Sequence, residues 1–491
     1  MNFRQNSDEP SELVMGIIGP IGCNRSLVAK SMQDLAKHYN YKLELIKMSD
    51  RMTPYVSLGE NNGNEYIRVT NLMEAGNKLR EKTKDNSILA KLAAMEIARI
   101  RATTKNRRII YLVDSIKRPE EVDELKNIYG DGFYLFAVHS SEKSRNSYLK
   151  NQCNIANPAQ RLDLIDRDKD EKLGHGQATS DAFHLADFFL AEEGNNIKVW
   201  NTLQRFFDII FGDPFKTPTF NEYSMFMSYA ASMKSADMSR QVGAAIALGT
   251  DIISTGANEC PRPGGGTYWP VYDNNTSSIV DVDNGRDYMN GIDYNGKEKQ
   301  DMINILKSGI PDELQDVLMK NIDSSGIKDI SEYGRVVHAE MDAILGCARR
   351  GISCKDATLF STTFPCHNCA KHIIASGIKS VVFIEPYPKS KAVEMHKDAL
   401  FTKGSSNHEK SSKLVFSPFI GVGPRRYVDL FSLSLSSGEK IRRKINGTFT
   451  AAVWERATAR PRMKMFNTSY LKNEEFVSIE VKNMLNIDLK I

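Results

Sequence analysis

Short apolar runs alternate with longer amphipathic stretches through the first 212 residues. The apolar runs cover 13–19, 108–114 and 132–138 and predict buried strands, while stretches such as 87–101 have helical spacing. Neighbouring parallel strands need a long crossover connection, and a helix usually supplies it. The alternation therefore predicts an α/β unit over residues 1–212, built on a doubly wound parallel sheet.

A cluster of turn-forming residues at 211–218, Phe-Gly-Asp-Pro-Phe-Lys-Thr-Pro, predicts the boundary to a second unit, over residues 213–435. The elements predicted for this unit are a helix over 223–233, a hairpin of strands over 239–247 and 251–258, a helix over 338–349, a strand that leads into a helix after Pro365, and strands over 379–385 and 414–420. This pattern predicts an α/β/α unit with a mixed sheet.

A long insertion, residues 260–332, interrupts the second unit. It contains three consecutive glycines and many Asp and Asn residues, and residues 301–323 within it have helical periodicity. Long insertions of this kind are usually functional or mobile. Three roles stay open for it: a cover over a pocket, a site for an effector, or a disordered segment.

Two short motifs in the second unit carry candidate metal chemistry. His338-Ala339-Glu340 is followed by Pro365-Cys366-His367-Asn368-Cys369. Zinc binds neutral imidazole and thiolate well, and three protein ligands leave its fourth tetrahedral position for water. We expect His338, Cys366 and Cys369 to be the ligands, each at the start of a helix, where the helix dipole favours thiolate.

Glu340 is the remaining acidic group, and we expect it to be the catalytic acid and base. The alternative is a closed structural zinc site, for which Cys347, Cys354 or His367 would supply a fourth ligand. A closed site leaves Glu340 without a role. The pattern H-x-E followed by P-C-x-x-C is the signature of zinc-dependent base deaminases, in which the glutamate is not a ligand.

The first unit contains a candidate phosphate-binding loop after its first strand. Taking Gly19 as the first residue of G-x-x-x-x-G-K-[ST], Ser26 matches, but Asn24 replaces the second glycine and Arg25 the lysine. Gly22 lies within the loop. The strand that ends in Asp114 offers a carboxylate for Mg²⁺. These residues predict a nucleotide site, with or without Mg²⁺, and the alternative is a scaffold that binds no ligand.

Further motifs of the second unit occur in the order seen in deoxycytidylate deaminases, which the region from about 220 to 430 resembles. They are Phe226–Ala230, Ser239–Ala244, Gly256–Asn258, His338–Ile344 and Phe364–Lys371. The first unit resembles P-loop kinases that act on nucleosides and nucleotides. Together, the two units resemble the bacterial anti-phage dCTP deaminases, which fuse a kinase-like domain to a deoxycytidylate deaminase domain.

The resemblance implies zinc-dependent deamination of dCTP or dCMP, which depletes deoxycytidine nucleotides in infected cells. It also implies that Asn258 bonds the sugar or base and that Tyr387 lines the pocket, while Arg240 is our candidate contact for phosphate. The family usually has Tyr-Asn-Gly where this chain has Ala257-Asn258-Glu259. By resemblance we further expect a homo-oligomer, a hexamer in many relatives, and an inhibitory small RNA.

Charge and composition narrow these functions only a little. A net charge of +4 over 491 residues gives no general support for nucleic-acid binding. The basic extension over 436–491 is either a footprint for RNA or phosphates or a solvated surface. Residues 1–6 lack a signal-peptide core, no apolar run could cross a bilayer, and the seven cysteines suit a reducing compartment, so we expect a cytoplasmic protein. A deaminase acting on RNA or single-stranded DNA and a nucleotide-sensing P-loop protein remain the alternative functions.

Overall fold

The computed structural model describes residues 12–104, 107–169, 171, 175–325, 327, 333–385, 391–403, 413–434, 438–465 and 467–485. The elements of the first half are β1 (Leu13–Ile18), α1 (Arg25–His38), β2 (Lys42–Lys47), α2 (Met48–Met52), α3 (Glu65–Thr83), α4 (Ile88–Thr103), β3 (Ile109–Ile116), α5 (Pro119–Tyr129), β4 (Phe133–His139), α6 (Glu142–Asn151), α7 (Pro158–Lys169), α8 (Thr179–Phe183), β5 (Phe188–Ala191) and α9 (Asn196–Ile210).

The first sheet has the strand order β5-β4-β1-β3-β2, and all of these neighbours run parallel. Side chains of a strand alternate between the two faces. Along β1, Leu13, Met15 and Ile17 pack in a core with α1 and α9, whereas Val14 and Ile18 pack in a second core with α4 and α5. Helices thus cover both faces, and the predicted α/β fold with a parallel sheet is confirmed.

The elements of the second half are α10 (Phe220–Ser232), β6 (Gly243–Leu248), β7 (Asp251–Ala257), β8 (Val271–Asp273), β9 (Ser278–Val280), α11 (Asp287–Asn290), α12 (Tyr294–Ser308), α13 (Asp312–Ser325), α14 (Ala339–Arg349), β10 (Thr358–Ser361), α15 (His367–Ala375), β11 (Ser380–Phe383), α16 (Ala392–Met395), β12 (Leu400–Thr402), β13 (Leu414–Pro418), β14 (Gly421–Val422), α17 (Tyr427–Phe431) and α18 (Asn467–Leu485). The predicted helical stretch in the insertion is confirmed, because α12 and α13 cover it.

The second sheet is mixed, as predicted, with the order β12-β13-β11-β10-β6-β7. Strand β6 runs antiparallel to β7 and β10, and the pairs β10–β11, β11–β13 and β12–β13 are parallel. Helices α14 and α15 pack on one face through Ala343, Ala370 and Ile373. Helix α10 covers the other face, so the predicted three-layer arrangement is confirmed.

The second half of the chain also completes the first sheet. Strand β14 pairs antiparallel with β5 at the sheet edge, and α18 packs on α4 and α5. Tyr470, Val477 and Val481 of α18 are buried in the same core as α4. The boundaries at 212 and 435 remain predictions, but segments on either side of them share one core.

The strand predicted over 239–247 begins later than expected, at Gly243. The side chain of Asn258 bonds the backbone of the segment before it, accepting from Val242 N at 2.7 Å and donating to Arg240 O at 2.8 Å. The side chain of Asn258 thus takes the N–H of Val242, while the backbone N–H of Asn258 still donates to Val242 O at 3.2 Å. Of the helices in the described ranges, none combines the length and apolarity that a membrane span requires.

Candidate metal centre and active site

His338 is the residue that precedes α14, and two contacts fix its position. The residue before it, Val337, exchanges two backbone hydrogen bonds with Glu259, at 3.1 and 3.2 Å, which also ties together the two ends of the insertion. At Gly256 of β7 the backbone of α14 comes so close that a Cβ atom there would lie 2.2 Å from Ala339 O. Glycine at this position lets the first turn of α14 lie directly on the sheet.

Cys366 and Cys369 lie at the start of α15, which follows β10. Cys366 occupies the N-cap position, and its sulfur accepts the backbone N–H of Cys369 at 3.4 Å. The free N–H groups and the dipole at a helix start favour a negatively charged sulfur. The backbone thus favours the thiolate form of Cys366, the form that a metal ion requires.

The three predicted ligands meet at one point. His338 Nδ1 lies 3.3 Å from the sulfur of Cys366 and 3.4 Å from that of Cys369, and the possible ligand atoms all lie within 4.8 Å of one another. One imidazole and two thiols suit zinc. Among the described residues this group has three members, which leaves a coordination position for water.

Of the fourth ligands that the alternative required, Cys347 and Cys354 lie buried in the core of the second unit, and His367 is outside the group. The structure of the described residues therefore favours an open site over a closed one. Open sites of three protein ligands are the catalytic type.

Hydrogen bonds between the three side chains shift their pKa values. The bond with Cys369 lowers the pKa of the Cys366 thiol to about 4, and the bond with His338 acts in the same direction. The hydrogen bond with Cys366 raises the pKa of His338, and the positive charge of Arg240 opposes this rise. Cys366 is thus a thiolate at neutral pH, while the pKa of Cys369 is raised by its hydrogen bond with Cys366.

Glu340 lies in the first turn of α14, buried beside the three ligands. Its Oε1 accepts a hydrogen bond from Ser361 Oγ at 3.1 Å, and its Oε2 lies 3.3 Å from the sulfur of Cys369, which donates to it. Burial raises the pKa of the Glu340 carboxyl. One oxygen is anchored to the sheet and the other faces the metal ligands.

Ser361 is a residue of this site that sequence reasoning missed. It is fully buried and is the last residue of β10. A polar residue that ends an apolar strand, Leu359-Phe360-Ser361, was the available signal, since strand ends carry functional side chains in α/β proteins. The sequence could not indicate that its hydroxyl reaches Glu340.

The predicted substrate contacts have different placements. Asn258 is buried, and its amide bonds the backbone of Val242 and Arg240, as described for the start of β6. Arg240 is exposed, near enough to His338 for its charge to affect the pKa of the imidazole. Tyr387 lies outside the described residues. Their roles in binding substrate stay predictions.

The predicted phosphate-binding residues of the first unit lie together at the carboxyl ends of β1 and β3. Arg25 donates to Asp114 at 3.0 Å and to Ser115 at 3.1 Å. The carbonyl of Gly19 accepts from Lys117 at 3.0 Å, and Gly22 has a φ of +83°. Ser26 is exposed and lines a cavity beside the loop. The nucleotide and Mg²⁺ at this place stay predictions.

Comparison with known proteins agrees with the chemistry of the second unit. Residues 218–385 match the family described as "Cytidine and deoxycytidylate deaminase zinc-binding region". A deoxycytidylate deaminase of Enterobacteria phage T2 is 51% identical to this chain over 55 residues, which are 11% of this chain and 29% of that protein. The chain thus spans less than a third of the length of this relative.

Other similarities are broader and weaker. A UPF0200 protein of Saccharolobus islandicus, whose name states no activity, is 27% identical over 183 residues, 37% of this chain and 85% of that protein. A dCMP deaminase of the cyanophage S-TIM5, solved in complex with dCMP and dUMP, covers 41% of this chain and 98% of its own at 16% identity, with a TM-score of 0.23. A score of that size carries no argument.

The four residues His338, Glu340, Cys366 and Cys369 all fall inside the matched region, 218–385. The family is defined by a zinc-binding region, and the described residues bring a zinc-type ligand set together beside one buried carboxylate. Residues 218–385 are therefore similar to the zinc-binding region of cytidine and deoxycytidylate deaminases, and they bring together side chains of the types that bind zinc.

Proposed function

We propose that this chain is a zinc-dependent hydrolase that converts a deoxycytidine nucleotide, dCTP or dCMP, and water into the deoxyuridine nucleotide and ammonia. The observation that carries the proposal is the meeting of His338, Cys366 and Cys369 beside the buried carboxylate of Glu340. The match of residues 218–385 to the deaminase family supports the reaction. The similarity to a deoxycytidylate deaminase supports the substrate class.

Zinc bound by the three residues would act as a Lewis acid and lower the pKa of water at the fourth position. The carboxylate of Glu340 would take one proton from the attacking water and pass it to N3 of cytosine as the oxygen bonds to C4. It would then take the second proton from the new hydroxyl on C4 and deliver it to the amino group, so that the C–N bond breaks, ammonia leaves and a carbonyl forms at C4. Glu340 therefore returns to the carboxylate within one turnover.

The two oxygens of Glu340 suit this double role because they have different partners. Ser361 holds Oε1, whereas Oε2 faces the metal ligands and lies 3.3 Å from the sulfur of Cys369. One oxygen is thus anchored while the other faces the position of the reacting water.

The proposal includes the substrate contacts that the resemblance implies. Arg240 is a cation near the metal ligands, which supports a contact with the substrate phosphates. Asn258 holds the backbone of Arg240, which supports at least a positioning role for its amide. The proposal also includes Tyr387 as a residue that would line the pocket, as the resemblance implies.

The deciding experiment incubates the purified chain separately with dCTP, dCMP, cytidine and a cytosine-containing oligonucleotide. We expect ammonia and a uracil product, identified by its mass, from a free deoxycytidine nucleotide. If only the oligonucleotide is converted, the chain is a nucleic-acid deaminase and the proposal is wrong. Absence of any uracil product from a chain with a full zinc complement would refute it.

Glu340→Gln tests the catalytic residue with a side chain of matched size. Losing acid and base catalysis should lower kcat by roughly a hundredfold to ten-thousandfold. Zinc content should stay complete, since Glu340 is outside the ligand group. Metal analysis and ammonia release measure the two effects, and a variant with the kcat of the wild type would exclude this role for Glu340.

Depletion of deoxycytidine nucleotides in anti-phage defence is part of the same proposal, supported by the resemblance of the whole chain. Cells expressing the wild-type chain should restrict phage plating, and cells expressing Glu340→Gln should not. Light scattering on the purified chain tests the expected hexamer. Copurification of RNA, before and after charge reversal in residues 440–444, tests the expected inhibitory small RNA.

A further inference from the structure

The loop that connects β1 to α1, residues 19–26, has little left to offer a phosphate group. Phosphate-binding loops hold their ligand with free backbone N–H groups. Here, the N–H groups of Ile21 and Asn24 donate to the carboxylates of Asp168 and Glu192, at 2.9 and 3.3 Å. The N–H groups of Cys23 and Arg25 donate to carbonyls of the loop itself.

Most of the cations near this loop are likewise engaged, and the exposed Lys47 is the further cation in the lining of the adjoining cavity. Four of those that line the adjoining cavity form ion pairs, namely Arg25 with Asp114, Arg68 with Glu65, Arg80 with Glu121, and Lys117 with Asp168. The pairs of Arg80 and Lys117 are almost entirely buried. Buried charges are costly to leave without a partner. A phosphorylated ligand would therefore have to displace carboxylates that the fold holds in place.

The cavity itself has the size and lining of a small-molecule site. Its volume is about 360 Å³, within the usual range for ligand pockets. Its apolar wall consists of Met48, Met52, Val69, Leu72, Met73 and Leu89. Such a wall suits the face of a heterocyclic ring.

One polar residue of this lining is Gln177, which is 6% exposed. The hydrogen bonds that it makes to Glu171 run through its backbone. An amide offers one acceptor and two donors, which matches the edge of a heterocycle.

We propose that this cavity binds an uncharged heterocyclic ligand of about nucleoside size through the amide of Gln177, and that the carboxylates of Asp168 and Glu192 exclude the phosphorylated forms of the same ligand. The site is separate from the metal centre, so the proposal does not depend on the deaminase activity. The sequence predicted a nucleotide as the ligand of the first unit, and the proposal replaces it with an uncharged compound.

Isothermal titration of the full chain tests the proposal, with deoxyadenosine, deoxyguanosine and thymidine and with their 5′-mono- and triphosphates, with and without Mg²⁺. Deoxycytidine compounds are left out because the proposed active site would bind them. We expect at least one deoxynucleoside to bind, and its phosphorylated forms to bind at least tenfold more weakly. Asp168→Asn, which removes the charge that occupies the loop, should narrow that difference. A triphosphate that binds the wild type at this cavity as tightly as its nucleoside would overturn the proposal.

Variants of the cavity locate the binding. Gln177→Leu removes the amide and Leu72→Trp fills the cavity from α3, so each should weaken nucleoside binding at least tenfold. Gln300→Leu, which changes an exposed glutamine of α12, should not. Thermal unfolding confirms that each variant is folded. If each deoxynucleoside that binds the wild type binds both cavity variants with unchanged affinity, the proposal is refuted. It is also refuted if no deoxynucleoside binds the wild type.

Glu340→Gln separates this site from the proposed enzyme. That variant should lose ammonia release and keep nucleoside binding that depends on Gln177. If the wild-type chain does not deaminate any deoxycytidine nucleotide but shows binding that depends on Gln177, only the proposed function is wrong. If deamination proceeds and no such binding occurs, only the proposal on the cavity is wrong.

Discussion

The hydrogen bond from Ser361 to Glu340 gives a prediction whose size follows from the structure. Ser361 Oγ lies 3.1 Å from Glu340 Oε1, and both residues are buried, so that Ser361→Ala removes a protein partner of the carboxylate. A hydrogen bond to a charged group contributes about 1.5–3 kcal/mol. If the bond positions the carboxylate for proton transfer, its loss should lower kcat by roughly tenfold to a hundredfold.

The measurement is steady-state ammonia release, with KM and zinc content determined in parallel. Because Ser361 contacts Glu340 and is outside the ligand group, zinc content should stay complete and the fall should be in kcat. Ser361→Thr and Ser361→Val form a matched pair of the same shape, and only the threonine keeps a hydroxyl. We expect threonine to retain more activity than valine. Equal kcat values for that pair, or a wild-type kcat for Ser361→Ala, would refute the reasoning.

Three further predictions concern the metal ligands and the packing beneath them. Cys366→Ser should lose zinc and unfold at a lower temperature, because ligation and folding are coupled; metal analysis and thermal unfolding measure this. In the zinc-stripped chain, the pKa of Cys366 is lowered to about 4, so it should react with iodoacetamide at pH 6 as a thiolate, and peptide mass spectrometry would detect the adduct. Gly256→Ala should destabilise the fold by about 1–3 kcal/mol, since its Cβ would lie 2.2 Å from a backbone oxygen of α14, and denaturant unfolding measures the cost.

Each of these predictions has a matched control. Cys347→Ser changes a buried cysteine outside the ligand group and should keep zinc. Burial raises the pKa of Cys153, so at pH 6 this thiol should stay unmodified while Cys366 reacts. Gly309→Ala introduces a Cβ with no atom within 4 Å and should leave stability unchanged. Zinc retained in Cys366→Ser, equal labelling of the two thiols, or equal stability of the two alanine variants would each contradict the argument.

Local sequence patterns were sufficient to predict the metal-ligand group and several of the buried strands. The spacing of His338, Cys366 and Cys369 indicated the ligand group, and apolar runs indicated β1, β3 and β4 within a few residues. Periodicity and metal-ligand spacing are read within short windows, and both result from one helix or strand at a time.

What escaped prediction depends on contacts between distant parts of the chain. Asp168 reaches the N–H of Ile21 across 147 positions, and β14 pairs with β5 although it belongs to the second half. Hydrophobic periodicity indicates a single helix or strand, and it does not indicate which distant residue or strand that element contacts. The hydroxyl of Ser361 reaches Glu340 for the same reason: two short-range motifs become neighbours only when the sheet has formed.

The return of α18 to α4 has a consequence for biosynthesis. Its buried residues cover apolar surface of the first core, and its Glu474 forms an ion pair with the buried Arg101. At roughly 5–20 residues per second, a ribosome needs on the order of tens of seconds to extend the chain from the end of α9 to α18. Throughout that interval, the nascent first half lacks one edge strand and one covering helix, so it must wait, or be sheltered by a chaperone, until translation nears its end.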